Sequence, residues 1–198
     1  MAQASVLLFD LGGVLVENSH LEDLSKLRTG ALADGELHNL WLSSPAVRAF
    51  ERGKIDAETF ARQFVAEWDV PLAPSDFIRR FAGWPKGFYP GAAALLTRLR
   101  PRYKIAYLSN SNPLHWAGFP DILRYADAVF ASHICGLVKP DEAIFQLVIA
   151  ELGRTPGEIG FFDDSPRNVQ AALATGMDAH LTRGFGELTE MLQALGLD

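Results

Sequence analysis

Five polar side chains in this sequence could act together on one substrate. Each is expected to lie where an apolar, strand-like run of the chain ends. Because the carboxyl ends of parallel strands meet at one edge of a sheet, these side chains are expected to converge there. The five residues are Asp10, Ser109, Lys139, Asp163 and Asp164.

The chemistry of this set is that of a phosphate site. Neighbouring carboxylates repel one another, so one stays protonated unless a cation is present. Carboxylate oxygens suit Mg²⁺, which usually binds one or two of them and keeps several waters. The Lys139 ammonium and the Ser109 hydroxyl are hydrogen-bond donors that suit the non-bridging oxygens of a phosphate. Together these groups indicate phosphoryl transfer through an aspartate nucleophile.

The elements that must position these groups alternate between strand-like and helix-like patterns. Short apolar runs are followed by stretches with helix caps and with apolar residues three or four positions apart. This alternation predicts an α/β fold, a Rossmann-like parallel sheet covered by helices on both faces. Strands are predicted at 6–9, 104–108, 128–130, 159–162 and 179–181, and helices at 90–99, 141–152, 166–175 and 185–195.

A long segment after the first predicted strand has a different character, because residues 17–88 carry helix signals and little strand pattern. Phe60, Phe64 and Trp68 recur at helical spacing and form one apolar face. The segment is therefore predicted to be a helical insertion in the α/β fold. Its predicted helix-capping residues are Ser44, Asp56 and Ser75.

Composition excludes several classes of partner. The formal net charge is −6 and there is no basic cluster, so non-specific binding to nucleic acid is not expected. The single cysteine, Cys135, cannot form an internal disulfide, which suits a reducing cytoplasm. No run approaches the roughly 20 apolar residues that span a membrane. The sequence favours a cytoplasmic protein without a membrane or nucleic-acid partner, and it leaves the oligomeric state open.

Four segments resemble, in order and spacing, the motifs of the haloacid dehalogenase superfamily of aspartate-nucleophile hydrolases. The resemblance implies that Asp10 is the nucleophile and that Lys139 is the catalytic cation beside it and the phosphate. It also implies phosphate contacts from Ser109, Asn110 and Lys139. The implied Mg²⁺ ligands are Asp10, Gly12, Asp163 and Asp164. The four segments are 9–15, 108–110, 136–140 and 161–168.

The resemblance extends to the helical insertion. Residues 50–55, followed by Phe60, are typical of the small helical cap that closes over the site in this superfamily. Residues 112–116 resemble the branch that contains glucose-1-phosphate phosphatases. We therefore expect a core domain made of residues 1–16 and 89–198, with a helical cap made of residues 17–88.

Position 12 departs from the usual pattern of the superfamily, which has a second aspartate there. In that pattern the backbone carbonyl binds Mg²⁺ and the carboxyl transfers a proton. Gly12 keeps the carbonyl and lacks the carboxyl, so we expect an intact metal site and slower turnover. Positioned acid–base catalysis is typically worth roughly 10²–10⁴-fold. Glu17, His20 or an ordered water are the candidates to replace the missing group.

Three functions compete on these observations. The leading hypothesis is a Mg²⁺-dependent phosphatase that acts on a small phosphorylated metabolite, with a sugar phosphate favoured, through an aspartyl phosphate. The second is a metal-independent 2-haloacid dehalogenase, because residues 109–113 resemble that family's second motif. Asp163 and Asp164 argue against it, since those enzymes carry neutral residues there. The third is a non-catalytic protein that binds a phosphorylated metabolite, for which Gly12 is the sole support.

Overall fold

The computed structural model describes residues 4–27 and 34–198. Its strands are β1 (Val6–Phe9), β2 (Val16–Asn18), β3 (Pro85–Phe88), β4 (Lys104–Ser109), β5 (Ala128–Ala131), β6 (Ile159–Asp163) and β7 (Asp178–Leu181). Five of them form a parallel sheet in the order β5-β4-β1-β6-β7. The other two, β2 and β3, pair antiparallel in a separate ribbon.

The central strand of the sheet is β1, which pairs in parallel with β4 and β6. All four of its residues are buried. Leu7 and Phe9 pack into a hydrophobic cluster on one face, and Val6 and Leu8 pack into a second cluster on the other. A parallel strand covered on both faces must be apolar at every position, which explains its continuous apolar run.

Helices cover both faces of the sheet, so the predicted Rossmann-like architecture is confirmed. The helices are α1 (His20–Leu27), α2 (Asp34–Ser43), α3 (Pro45–Glu51), α4 (Ala57–Glu67), α5 (Pro74–Phe81), α6 (Ala92–Leu99), α7 (Pro113–Trp116), α8 (Pro120–Leu123), α9 (Ser132–Cys135), α10 (Glu142–Leu152), α11 (Pro166–Ala174) and α12 (Gly184–Ala194). Helices α6 and α12 contribute to the first cluster, whereas α10 and α11 contribute to the second. No helix in the described ranges is long and apolar enough to cross a membrane.

Helices α1 to α5 surround a third hydrophobic cluster, drawn from residues 24–84 and rich in aromatic rings. The rings of Phe50 and Phe60 stack with centroids 4.4 Å apart, and those of Phe64 and Phe77 with centroids 4.8 Å apart. Aromatic pairs of this kind add stabilisation beyond the apolar area they bury. The predicted apolar face of α4 therefore lies at the centre of this cluster.

The ribbon of β2 and β3 was not predicted from the sequence. Val16 pairs with Phe88 and Glu17 pairs with Gly87. Both strands are short, and β3 contains a proline and a glycine, which normally mark turns. Their pairing joins two positions that are about 70 residues apart, so a local pattern could not indicate it.

Several helix starts differ in detail from the predictions, and three of them have a visible cause. Helix α5 begins at Pro74 with Ala73 as N-cap, one residue before Ser75. Helix α6 begins at Ala92 because Gly91 before it has a φ of 94° and is not helical. Asp141 is the N-cap of α10, but its side chain forms no capping hydrogen bond and instead contacts Arg48 and Arg52 of the insertion.

We expect the substitution Phe64→Ala to destabilise the protein by about 3–5 kcal/mol, because Phe64 is fully buried among four aromatic rings. The measurement is the free energy of unfolding from urea denaturation. Gln63→Ala, at the neighbouring exposed position of α4, is the control and should change it by less than about 0.5 kcal/mol. Equal effects of the two substitutions would contradict this packing.

Candidate active site

The strand ends bring three acids and a serine to the carboxyl edge of the sheet. Asp10 follows β1, Asp163 ends β6, and Asp164 follows it, while Ser109 ends β4. These three strands are neighbours in the order β4-β1-β6, so the predicted convergence is observed. Lys139 reaches the same edge from a loop between α9 and α10, not from the end of a strand as predicted.

Lys139 is the centre of the site. Only 2% of the residue is exposed, and its ammonium donates to the carbonyl of Leu108 at 2.9 Å. The same Nζ lies 3.0 Å from Oδ1 of Asp10 and 2.6 Å from Oδ2 of Asp163. Three acceptors thus match the three protons of the ammonium. This arrangement compensates a buried charge and links strands β1, β4 and β6.

Asp163 is fully buried and is held from both sides of its carboxylate. Its Oδ1 accepts hydrogen bonds from the backbone N–H of Ser165 at 2.8 Å and from the side chain of Asn168 at 2.9 Å. Its Oδ2 accepts from Lys139. Asp163 therefore fixes the position of the lysine, and its direct contact with a metal stays a prediction.

The charges of the site do not balance. Burial raises the pKa of Asp10 above its ordinary value, Lys139 lowers it, and Asp163 and Asp164 raise it further. Burial and Asp163 likewise raise the pKa of Asp164. Burial lowers the pKa of Lys139, but Asp10 and Asp163 raise it more, so the lysine remains charged. Three carboxylates face one ammonium, and a bound cation would relieve their repulsion.

The donor set fits a hard divalent cation such as Mg²⁺. One carboxylate oxygen from each of Asp10, Asp163 and Asp164 lies within 4.8 Å of the others. Gly12, whose backbone carbonyl is the fourth predicted ligand, lines the same pocket. Oxygen donors of this kind are the ligands that Mg²⁺ prefers.

The glycine pair after Asp10 leaves space for Asp164. Gly13 has a φ of 76°, and a Cβ there would lie 2.3 Å from Oδ2 of Asp164. Residue 13 must therefore be glycine for Asp164 to keep its place. Gly12 has more room, since a Cβ would lie 3.2 Å from the side-chain nitrogen of Asn18.

The predicted phosphate ligands have different surroundings. Ser109 is buried in the pocket wall, with a long hydroxyl contact of 3.5 Å to the carbonyl of Asn110. The amide of Asn110 donates to the carbonyl of Lys139 at 2.9 Å and accepts from its N–H at 2.8 Å. Asn110 thus positions the loop that carries Lys139, and a contact between Asn110 and phosphate stays a prediction.

A cavity of about 120 Å³ lies over the site, between the sheet edge and the helical insertion. Its floor includes Asp10, Ser109, Lys139 and Asp164. The insertion contributes Asn18, Trp41, Leu42, Glu51, Trp84 and Pro85 to its walls. Sequence reasoning missed these wall residues, although Glu51 lies in the segment 50–55 that is typical of a small helical cap.

Glu17 and His20 were the predicted replacements for the carboxyl missing at position 12. Glu17 is exposed on β2 and does not line the cavity. The side chain of His20 lies outside the described part of the chain. The placement of Glu17 does not support the role suggested for it.

His115 links the loop after β4 to the insertion. Its Nε2 lies 2.8 Å from the carbonyl of Phe81, which can only accept, so Nε2 carries the proton. Its Nδ1 then accepts from the amide of Asn112 at 3.1 Å. Burial lowers the pKa of His115 to about 4, although the Phe81 carbonyl opposes this shift. The ring is therefore neutral at pH 7 and has a structural role.

The fold and the site define a Rossmann-like α/β enzyme whose reactive carboxylates lie at the carboxyl edge of its sheet. Residues 4–176 match the family model described as haloacid dehalogenase-like hydrolase. The chain therefore belongs to the haloacid dehalogenase-like hydrolases, and the predicted family is confirmed. The narrower resemblance to glucose-1-phosphate phosphatases stays a prediction.

Relatives with assigned activities cover nearly the whole chain. A sesquiterpene phosphatase of Aspergillus oryzae is 28% identical over an alignment of 203 positions, gaps included, that covers 96% of this chain and 95% of that protein. A D-ribitol-5-phosphate phosphatase of Bacteroides thetaiotaomicron is 24% identical, over 87% of this chain and 88% of the relative. The names of these two proteins refer to very different compounds, a sesquiterpene and D-ribitol 5-phosphate.

The fold also matches solved structures. A haloacid dehalogenase family enzyme of Bacteroides thetaiotaomicron, solved in complex with magnesium and inorganic phosphate, superposes with a TM-score of 0.72. It is 22% identical, and the match covers 90% of this chain and 94% of that one. This similarity establishes a shared fold.

We expect Gly13→Ala to weaken Mg²⁺ binding and to destabilise the protein by roughly 1–2 kcal/mol, because alanine disfavours the left-handed backbone and displaces Asp164. The measurement is thermal unfolding with and without Mg²⁺. Gly12→Ala is the matched control, since position 12 has a permitted φ and more room. An unchanged Mg²⁺-induced shift in Tm for Gly13→Ala would be inconsistent with this geometry.

We expect the stability of the protein to depend on His115 between pH 6.5 and 4. The folded pKa of His115 is depressed, so the unfolded chain binds a proton first as the pH falls. The stabilisation is complete above pH 6.5 and is lost progressively down to pH 4, by up to about 3 kcal/mol. Urea denaturation of wild type and His115→Gln across this range measures it, and parallel pH curves would refute it.

Proposed function

We propose that this hydrolase is a Mg²⁺-dependent phosphatase that acts on a small phosphorylated metabolite through an aspartyl phosphate at Asp10. The observation that supports this most is the buried Lys139, which lies 3.0 Å from Asp10 and also pairs with Asp163. The lysine opposes the rise in the pKa of Asp10 and orients its carboxyl at the floor of a cavity, and a bound cation would favour the ionised form further. An ionised, partly desolvated carboxylate is a competent nucleophile toward phosphorus.

The chain's own residues supply the steps of the first half-reaction. An oxygen of Asp10 attacks phosphorus, while the positive charge of Lys139 stabilises the phosphoryl oxygens and the hydroxyl of Ser109 donates a hydrogen bond to one of them. Asp163 and Asn110 hold the lysine and its loop in place. Mg²⁺ would be held by Asp10, Asp164, the Gly12 carbonyl and Asp163, and it would neutralise the charge of the phosphate.

We propose that the helical insertion, residues 17–88, acts as a cap on a core made of residues 1–16 and 89–198. The insertion has its own hydrophobic cluster and forms one wall of the cavity. Substrate contacts beyond the phosphate would therefore come mainly from this segment. The same fold carries many activities, so these contacts decide the substrate.

A sugar or polyol phosphate is the favoured substrate class. The indole N–H of Trp84 is buried in the cavity wall without an acceptor among the described residues. Asn18, Asn112 and Glu51 add further polar groups to that wall. A wall that carries polar groups of this kind suits a hydroxyl-rich substrate, and one relative is named for ribitol 5-phosphate.

A phosphate ester of an apolar alcohol is the second candidate. Trp41, Leu42 and Phe119 give the cavity apolar surface, and another relative is named as a sesquiterpene phosphatase. A panel that contains ribitol 5-phosphate, glucose 1-phosphate and farnesyl phosphate separates the two classes by kcat/KM.

We expect Asp10→Asn to lower phosphate release by at least about 10³-fold, because the amide is a poor nucleophile, and we expect a chelator to abolish wild-type release. The measurement is released phosphate across the substrate panel, with and without Mg²⁺. Glu17→Gln is the control and should retain full activity. Halide release from 2-chloropropionate in the presence of chelator would instead favour the dehalogenase, and intact binding of the esters without hydrolysis would favour a binding protein.

A further inference from the structure

Glu51 brings a carboxyl group to the active site from the insertion. It is the last residue of α3, and it lines the same cavity as Asp10, Ser109 and Lys139. The residue is partly buried, and its carboxyl accepts a hydrogen bond from the side chain of Trp41 in the cavity wall. The cavity therefore has a carboxyl-bearing residue in the wall formed by the insertion, in addition to the three acids at the edge of the sheet.

Contacts on both sides of Glu51 fix the end of α3 against the core. Nη2 of Arg48 lies 3.1 Å from Oδ1 of Asp141, and Arg52 pairs with the other oxygen of the same carboxylate. Gly53 follows with a φ of 66°, and a Cβ there would lie 2.5 Å from the carbonyl oxygen of His133. The turn after Glu51 is thus packed directly on the core, which fixes the end of α3 at the cavity that Glu51 lines.

The neighbouring cations are committed to other acids. Arg48 and Arg52 pair with Asp141, and Lys139 pairs with Asp10 and Asp163. Burial raises the pKa of Glu51 to about 7, and the more distant charges of Lys139 and Arg48 and the Trp41 hydrogen bond limit the rise. A carboxyl with this pKa exchanges a proton readily near neutral pH.

We propose that Glu51 is the acid–base residue of the reaction and takes the place of the carboxyl that is missing at Gly12; this inference rests on the proposed phosphatase activity. In the first half-reaction the bond between Asp10 and phosphorus forms and the bond to the leaving oxygen breaks. The proton of Glu51 moves to that oxygen, which leaves as an alcohol. In the second half-reaction water attacks phosphorus, its proton moves to the Glu51 carboxylate, and Asp10 is released.

Other groups near the cavity are less suited to this role. Glu17 is exposed and does not line the cavity. Both ring nitrogens of His115 are engaged, by Phe81 and Asn112. Among these residues, Glu51 combines a place in the cavity with a carboxyl that is not paired to a cation within contact distance in the described structure.

The test is leaving-group dependence in Glu51→Gln, which keeps the shape of the side chain and removes its acid. The probes are phenyl phosphate, whose leaving oxygen needs a proton, and 4-nitrophenyl phosphate, whose leaving oxygen needs it far less. We expect kcat/KM to fall roughly 10²-fold or more for phenyl phosphate and less than about tenfold for 4-nitrophenyl phosphate. Glu17→Gln is the matched control and should change neither value.

A second variant tests whether a carboxyl at position 12 can replace that of Glu51. Gly12→Asp in the Glu51→Gln background restores a carboxyl next to Asp10, where a Cβ needs only a small shift of Asn18. We expect the double variant to have a kcat/KM for phenyl phosphate at least about tenfold higher than that of Glu51→Gln. An unchanged Tm of Glu51→Gln would show that the loss of activity comes from the missing acid and not from unfolding.

Equal losses on the two probes would make Glu51 a substrate-positioning residue and would overturn the proposal, as would full activity on both. Failure of the proposed function gives a different result. In that case wild type hydrolyses neither probe, or Asp10→Asn remains active, and both proposals fall. If wild type and Glu51→Gln both hydrolyse 4-nitrophenyl phosphate and Asp10→Asn does not, the phosphatase activity is supported. The comparison with phenyl phosphate then decides the role of Glu51 alone.

Discussion

One buried ammonium group organises the reactive edge of this protein. The desolvation of the Lys139 ammonium is compensated by Asp10, Asp163 and the Leu108 carbonyl, which surround it. These partners lie on or directly after three adjacent strands, so the lysine also links the ends of these strands to one another. Removing one partner of such a buried pair typically costs about 3–5 kcal/mol, because the remaining charge loses its compensation. Stability and reactivity thus rest on the same contacts.

The excess negative charge around that lysine explains several neighbouring features. Asp164 adds a third carboxylate beside Asp10, and Gly13 leaves the space that it occupies. Asp163 is held by two hydrogen-bond donors in addition to the lysine, so its position does not depend on a metal. A preorganised group of oxygen ligands can therefore receive a cation without large rearrangement, and a divalent cation together with Lys139 would offset the charge of the three carboxylates.

The sheet and its reactive edge could be predicted from the sequence, because a buried parallel strand such as β1 must be apolar throughout and is followed by polar residues. The ribbon could not be predicted, since β3 is short, contains Gly87, and is defined only by a distant partner. Tertiary contacts also decided the roles of side chains. Asn110 holds the Lys139 backbone, Asp141 pairs with two arginines, and Glu51 reaches the cavity, none of which follows from local spacing.

The ribbon has a consequence for how such enzymes diversify. The segment between Val16 and Phe88 begins and ends at paired neighbours of the ribbon. A segment whose ends already meet can be lengthened, shortened or exchanged with little change in chain entropy, about 0.6 kcal/mol for each doubling of its length. Evolution can therefore vary the whole intervening segment as a module, while the three strands that carry the nucleophile keep their register. Related chains can in this way come to differ in the substrates that they accept.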